Sequence, residues 1–176
     1  MSIDCVVVDA GARYGLHPTW AELHALVQFH LFEIDHDEAK RLERKYVEYE
    51  NIKIYPLALY SRDGTLKYFV SAHQGLNSVF TSNNALLRQH DYMLQEFAVA
   101  GERIVEARTI DSLFETKPVH FIKLDVEGAE FDVLHGAKQQ LQTNLLGIRS
   151  EVLFAPIYNG ASQFGDLNKL RAGPSF

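Results

Sequence analysis

The stretch "CVVVDAGARYG", residues 5–15, places a carboxylate and two glycines at the point where an apolar run ends. Cys5 to Val8 has the composition of a buried strand, and Asp9 interrupts it. Gly11 and Gly15 allow a tight turn and a close approach of the backbone to a ligand, because glycine has no Cβ. The pattern therefore favours a ligand site at the end of this strand. A tight turn into a helix without any ligand is the alternative interpretation.

Glu33 ends the next apolar segment, about 20 residues beyond these glycines, where nucleotide-binding folds use a carboxylate to accept hydrogen bonds from ribose hydroxyls. The dinucleotide fingerprint G-x-G-x-x-G is incomplete, because Arg13 stands where its second glycine belongs. Asp9 would repel a phosphate and would suit an ammonium group. A ligand with a ribose, a positive amino group and no phosphate matches S-adenosylmethionine better than NAD. An NAD-dependent oxidoreductase remains the alternative.

The second chemically informative stretch is "VHFIKLDVEGAEFDVLHGA", residues 119–137. Asp125, Glu127 and Glu130 cluster where a predicted strand becomes a helix, and Gly128 permits a close turn there. Acids at this position also cap helices and complement the helix dipole without any further function. That alternative stays open for Glu127 and Glu130, whereas Asp125 is expected to face the crevice beyond the strand.

Predicted strands and helices alternate along the chain. Apolar runs indicate strands at Cys5–Asp9, Phe29–Ile34, Ile52–Tyr60, Leu66–Ser71, Arg103–Thr109, His120–Val126 and Leu145–Phe154. Helical spacing indicates helices over Thr19–Val27, Asp35–Glu50, Ala85–Ala100 and Ala129–Leu141. Asp63-Gly64 predicts a hairpin between the third and fourth of these strands. The order predicts an α/β, Rossmann-like, mostly parallel doubly wound sheet, whose ligands bind beyond the carboxyl ends of the strands. Asp9, Glu33 and Asp125 would meet at that edge.

Composition narrows the class of protein. The 176 residues suit a single domain, and 47% hydrophobic with 23% charged residues is typical of globular chains. A net charge of -6 argues against nonspecific binding to nucleic acid. The single cysteine, Cys5, excludes an internal disulfide framework and a cysteine-based zinc site, and we expect it to be a buried hydrophobe. The sequence shows neither a membrane-spanning run nor a secretory signal, so a reducing cytoplasm fits best.

The two motifs and the segments between them resemble the FkbM family of S-adenosylmethionine-dependent methyltransferases. "VVVDAGARYG" is similar to the first motif of that family, "LFEIDHDEAKRL" to its acidic strand end, and "FIKLDVEGAEFDVLHGA" is the most specific match. "YPLALYSRDGTLKYFVS", "LNSVF", "ARTIDSLF" and "IRSEVLFAPIYNG" are similar to its other segments. The similarity is collinear from about Cys5 to Leu170.

The resemblance implies S-adenosylmethionine as the cofactor and O-methylation of a hydroxyl on a sugar, polyketide or other small natural product. It implies cofactor contacts from Asp9, Gly11, Ala12, Gly15, Glu33 and Asp125. The general base would be Asp125, Glu127 or a histidine, of which His17 follows the first motif most closely. A cofactor-binding module without turnover is the alternative. Nothing in the sequence requires a metal, because the acids of "EIDHDE" fit the first turn of a helix.

The chain departs from the family pattern at Arg13, where asparagine is usual, and at Ile34, where proline is usual. It also ends at "LRAGPSF", about where a strand hairpin that completes such sheets would begin, so it looks shortened. The strand at Leu145–Phe154 would then present an unpaired apolar edge, and we expect either self-association through that edge or weak turnover. Candidate residues for an acceptor pocket, with core packing as the commoner role, are Tyr60, Tyr68, Phe69 and Phe80.

Overall fold

A computed structural model describes residues 5–20 and 22–166 of the chain. The described residues form eight strands: β1 (Val6–Ala10), β2 (Gln28–Phe32), β3 (Ile52–Tyr55), β4 (Ala58–Leu59), β5 (Gly64–Ser71), β6 (Val99–Arg108), β7 (Phe121–Leu124) and β8 (Gly147–Ser150). They also form six α-helices: α1 (His36–Lys45), α2 (Asn84–Leu87), α3 (Asp91–Glu96), α4 (Ile110–Leu113), α5 (Glu130–His135) and α6 (Lys138–Thr143).

The main sheet has the strand order β3-β2-β1-β7-β8, and all of its pairs are parallel. The predicted α/β, Rossmann-like fold is therefore confirmed. Because side chains alternate along a strand, Val6, Val8 and Ala10 pack on one face against α4, α5 and α6. Val7 packs on the other face, which is covered by residues 12–20, by Val27 and by Tyr46 after α1. Both faces are buried, which explains the continuous apolar run of β1.

A second sheet has the order β4-β6-β5, and here the predicted hairpin is wrong. β4 pairs with β6 in parallel and β5 pairs with β6 antiparallel, so β6 lies between the two strands that were expected to pair. Asp63 does not form a two-residue hairpin turn; instead its carboxylate accepts hydrogen bonds from the Thr109 amide (2.7 Å) and the Ser112 hydroxyl (2.9 Å). The turn is therefore tied to the start of α4.

Three predicted helices differ from the structure, two of them for a packing reason. The helix expected over Thr19–Val27 is wrong: a 3-10 turn at Pro18–Trp20 is followed by further turns, and residue 21 lies outside the described part. The helix expected over Ala85–Ala100 divides into α2 and α3, and its end joins β6, because pairing with β5 overrides local helical propensity. The helix expected over Ala129–Leu141 breaks at Gly136, where a Cβ would lie 2.1 Å from the Tyr60 carbonyl oxygen.

The fourth predicted helix is confirmed in shortened form as α1. Asp35 is its N-cap, and the Asp35 carboxylate accepts hydrogen bonds from the amides of Asp37 (3.0 Å) and Glu38 (3.4 Å). Asp35, Asp37 and Glu38 of "EIDHDE" therefore serve the start of a helix, as the sequence indicated, whereas Glu33 precedes the cap.

β8 forms one edge of the main sheet, and Ile148 on this strand is exposed, as is Leu146 just before it. Residues 167–176, which include "LRAGPSF", lie outside the described part of the chain. Association through the β8 edge therefore stays a prediction. Within residues 5–20 and 22–166, no helix has the length and apolar character needed to cross a membrane.

Candidate functional site

A cavity of about 270 Å³ opens beyond the carboxyl ends of β1, β2 and β7. Its walls combine the two predicted motifs with the segment between β5 and α2. Three predicted site residues that follow strands line it together: Gly11 after β1, Glu33 after β2 and Asp125 after β7. Glu127 lines it as well, so the structure brings both motifs to one concave site. This is the edge at which parallel sheets bind their ligands.

At Gly11 the turn after β1 lies very close to the end of β2 and to the turn after β7. The amides of Gly11 and Ala12 both donate to the Phe32 carbonyl oxygen at 3.0 Å, which fixes the turn against the end of β2. On the other side, a Cβ at Gly11 would lie 1.8 Å from the Asp125 carbonyl oxygen, and the φ of Gly11 is +76°. Only glycine allows this approach of two backbones.

Ala12 and Gly15 do not line the cavity. Ala12 is buried in the core beneath the turn. Gly15, with φ +88°, lies against Tyr46, whose hydroxyl accepts a hydrogen bond from the Leu16 amide at 2.8 Å. Both residues therefore support the turn on the side away from the cavity, and any contribution to binding a cofactor would be indirect.

Asp9 is fully buried and pairs with an ammonium group of the protein itself. The Lys123 Nζ atom lies 3.1 Å from Asp9 Oδ1 and 3.3 Å from Asp125 Oδ2, and it donates to the Gly11 carbonyl oxygen at 3.1 Å. Burial raises the pKa of Asp9 to about 6, and the Lys123 charge opposes that rise. Asp9 does not line the cavity, so the ammonium partner inferred for it from the sequence is internal. Its visible role is to hold Lys123 between the two motifs.

Glu33 is almost fully buried at the cavity wall. Its Oε1 atom accepts a hydrogen bond from the Asp35 amide at 2.8 Å. The described residues donate no hydrogen bond to Oε2, which leaves this oxygen as an acceptor. Burial raises the pKa of Glu33 to about 7, and this effect exceeds the opposing influence of the Asp35 amide and of Arg13.

Asn77 is a cavity residue that the sequence did not single out. Its Oδ1 atom accepts a hydrogen bond from the Ser71 amide at 3.0 Å, whereas its Nδ2 atom is buried and has no hydrogen-bond partner among the described residues. A buried donor without a partner is costly, and a ligand acceptor would satisfy it. The residue lies in the polar segment "LNSVF", where neither periodicity nor charge marked it.

Arg13 connects the first motif to the opposite wall. Its guanidinium group donates a hydrogen bond to the Gln74 side chain and lies 3.6 Å from the Asp35 carboxylate. Both Arg13 and Gln74 line the cavity. Arg13, at the position where the family pattern usually has asparagine, therefore contributes a guanidinium group to the cavity wall.

The acidic turn after β7 contains residues with different roles. The Glu130 carboxylate accepts hydrogen bonds from the amides of Val126 (3.0 Å) and Gly128 (3.1 Å), so it acts as a cap of the turn. Glu127 instead lines the cavity, with one carboxylate oxygen 2.7 Å from the Tyr158 hydroxyl. Carboxylate oxygens of Asp125, Glu127 and Glu151 lie within 4.8 Å of one another.

His17 and the candidate aromatic residues lie elsewhere. The His17 Nδ1 atom contacts the Thr19 hydroxyl at 2.8 Å and Arg149 Nη1 at 3.0 Å, and His17 does not line the cavity. None of the four aromatic residues proposed for an acceptor pocket lines it either, and Tyr68 is buried in the core of the second sheet.

Comparisons with known proteins agree with the motifs. A family model described as the methyltransferase FkbM domain matches residues 9–172. The match includes every residue of the cavity wall. Neither the curated proteins nor the solved structures gave a match to the chain.

Proposed function

We propose that the chain, which belongs to the FkbM methyltransferase domain family, binds S-adenosylmethionine in the cavity at the carboxyl ends of β1 and β2. The cofactor supplies an electrophilic methyl group on a sulfonium centre. The acceptor that we propose is a hydroxyl group on a small natural product such as a sugar.

The observation that carries the cofactor assignment is Glu33. A buried carboxylate with one oxygen available, at the end of the strand next to β1, is placed to accept a hydrogen bond from a ribose hydroxyl. The Asn77 Nδ2 donor lacks a partner in the same cavity and suits an acceptor atom of the ligand. Asp125, which is half exposed, offers a carboxylate for the amino group of the methionine portion.

The loop after β1 argues against a dinucleotide. A dinucleotide fold places the pyrophosphate at the N-terminus of the helix that follows the first strand. Here β1 is followed by a 3-10 turn at Pro18–Trp20 and further turns. The cavity wall also carries the carboxylate of Asp125, which would repel a pyrophosphate. A sulfonium ligand that carries an amino group is compatible with this charge.

Methyl transfer is tested by mass spectrometry. The protein is incubated with S-adenosylmethionine carrying an isotope-labelled methyl group and a panel of monosaccharides, glycosides and phenols. We expect one hydroxylated class to gain the labelled methyl, with S-adenosylhomocysteine as the second product. If S-adenosylhomocysteine binds but no acceptor in the panel gains a methyl, the proposal of a binding module without turnover is favoured.

Changing Asn77→Asp is expected to weaken binding of S-adenosylhomocysteine by at least about twofold to tenfold, the range that one neutral hydrogen bond accounts for, because the new carboxylate also repels an acceptor atom of the ligand. Aspartate retains the oxygen that accepts from the Ser71 amide, but it loses the buried donor. Calorimetric titration measures the dissociation constant. Asn144→Asp makes the same chemical change at an exposed position after α6 and should leave the affinity unchanged. Equal affinities of the Asn77→Asp protein and the wild type would exclude Asn77 as a ligand contact.

A further inference from the structure

Glu127 has a backbone conformation that is unfavourable for its residue type. Its φ is +52°, in the left-handed region that glutamate rarely adopts. The next residue, Gly128, also has a positive φ of +100°. Left-handed conformations of residues other than glycine cost free energy and concentrate at functional sites. A glycine at position 127 would avoid this cost, so the side chain of Glu127 needs an explanation.

The strained turn is held in place from several directions. The Ser78 hydroxyl donates to the Glu127 carbonyl oxygen at 2.6 Å, and Ser78 itself is buried. The Glu130 carboxylate binds the amides on both sides of Glu127. A Cβ at Gly128 would lie 2.8 Å from the Ala161 Cβ, so the chain packs tightly there. These contacts fix the backbone of the turn at Glu127, whose side chain lines the cavity.

Tyr158 holds the Glu127 carboxylate at its outer end. The Tyr158 hydroxyl donates to Glu127 Oε2 at 2.7 Å, while its distance to the alternative acceptor, the Leu76 carbonyl oxygen, is 3.5 Å. The Tyr158 ring is buried and packs against Phe97 with a centroid distance of 5.6 Å. This packing of the buried ring holds the hydroxyl in the direction of Glu127. One oxygen of Glu127 is therefore anchored, and the other remains for a substrate.

We propose that Glu127 is the general base of the methyl transfer and that Tyr158 is the residue that positions it. This inference rests on the proposed function and names the group that acts on the acceptor. In the step, the Glu127 carboxylate takes the proton of the acceptor hydroxyl. The hydroxyl oxygen bonds to the methyl carbon as the carbon–sulfur bond breaks, and the bonding pair stays on sulfur. The products are a methyl ether, a neutral thioether and protonated Glu127, which then loses its proton to water.

The other two candidates for the base are less well placed. Asp125 is held by the Lys123 ammonium group at 3.3 Å and is half exposed. His17 does not line the cavity and contacts Thr19 and Arg149 instead. Glu127 alone among the three combines a place in the cavity wall with partial burial and one anchored carboxylate oxygen.

The surroundings of Glu127 also suit a base that works near neutral pH. The pKa of Glu127 is raised to about 8, chiefly by burial and also by the nearby carboxylates of Glu151, Asp125 and Glu130, whereas the Tyr158 hydrogen bond opposes the rise. The carboxylate form, which accepts the proton, therefore dominates above about pH 8. A weakly acidic carboxyl group is a stronger base than an ordinary glutamate, which favours proton removal from a hydroxyl.

The first test measures methyl transfer to an acceptor, namely the first of the monosaccharides, glycosides and phenols that gains a methyl group. Glu127→Gln should lower the rate by about 10²–10⁴-fold, the range found for loss of a general base, and should keep affinity for S-adenosylhomocysteine. The wild-type rate should rise with pH to a plateau above pH 8. Tyr158→Phe removes the donor that favours the carboxylate and should move this midpoint upward by about one pH unit. Glu115→Gln, at an exposed position after α4, is the control and should change neither the methyl-transfer rate nor the midpoint of its pH dependence.

A second arm needs no acceptor. Carboxyl ¹³C resonances of glutamate-labelled protein are followed from pH 4 to 10, roughly the range over which raised carboxyl groups titrate. We expect one resonance to titrate near pH 8, to vanish in Glu127→Gln and to move upward in Tyr158→Phe. The assignment is overturned if that titration is unaffected by Tyr158→Phe, or if Glu127→Gln transfers methyl groups at the wild-type rate. Failure of the wild type to bind S-adenosylhomocysteine would instead contradict the proposed function itself.

Discussion

Replacing Glu33 with glutamine is expected to weaken binding of S-adenosylhomocysteine about tenfold to a hundredfold. Glutamine can keep the hydrogen bond from the Asp35 amide, but its Nε2 group replaces the oxygen that faces the ligand. The loss of a charge-assisted hydrogen bond costs about 1.5–3 kcal/mol, and each 1.4 kcal/mol is about a tenfold change in affinity. Calorimetry at pH 8 measures the effect with Glu33 mainly ionised, because burial raises its pKa to about 7.

A measurement of the stability of the Glu33→Gln protein distinguishes weaker binding from a loss of folded structure. The folded-state pKa of Glu33 is raised, so the group favours the folded state when it is protonated, and this contribution is lost as pH rises through about 7. Glutamine removes the buried charge, so the Glu33→Gln protein should unfold at the same or a higher urea concentration than the wild type at pH 8. Glu43→Gln, on the exposed face of α1, should change neither quantity. Undiminished affinity in a folded Glu33→Gln protein would place the ribose elsewhere.

Changing Gly11→Ala is expected to lower the free energy of unfolding by about 2–5 kcal/mol. The left-handed conformation costs about 1–2 kcal/mol for alanine, and forcing a methyl group into a packed region adds about 1–3 kcal/mol. The methyl would lie 1.8 Å from the Asp125 carbonyl oxygen, so the turns after β1 and β7 must separate. Urea denaturation followed by circular dichroism measures the change, and cofactor affinity should fall with it.

Two other glycines separate the causes of this destabilisation. Gly64 has a φ of +148° and no atom within 4 Å of an added Cβ, so Gly64→Ala tests backbone strain without the clash. Gly101 in β6 has open space and an ordinary φ, and Gly101→Ala should change stability little. If Gly11→Ala is no more destabilised than Gly64→Ala, the two motifs do not approach each other as closely as the structure shows.

The strands that carry the site were predictable because their signals are local. The apolar runs that contain Asp9 or precede Glu33 and Asp125 each form a buried parallel strand, so Glu33 and Asp125 follow their strands at one edge of the sheet, while Asp9 lies inside β1. The cap at Asp35 was predictable for the same reason, since a helix cap depends on a few neighbouring residues.

The rest of the site depends on contacts between distant residues. Lys123 pairs with Asp9 across neighbouring strands, which no local pattern shows, so the charge of Asp9 was assigned to a ligand. Asn77 lines the cavity and Tyr158 contacts Glu127, both from segments without periodicity. Their roles appear only in the folded structure, where the Asn77 donor lacks a partner and the Tyr158 hydroxyl donates to Glu127. The same applies to β6, whose pairing with both β4 and β5 overrode the hairpin signal.

Calorimetric titration of S-adenosylhomocysteine into the wild-type protein at pH 8 tests the central claim most directly, namely that the cavity beside Glu33 holds a methyl donor. The account predicts saturable binding at one site, and no binding of NAD under the same conditions. Because ligand that binds only the folded state stabilises it, the melting temperature should rise with S-adenosylhomocysteine concentration. Saturable binding of NAD together with no response to millimolar S-adenosylhomocysteine would contradict the account.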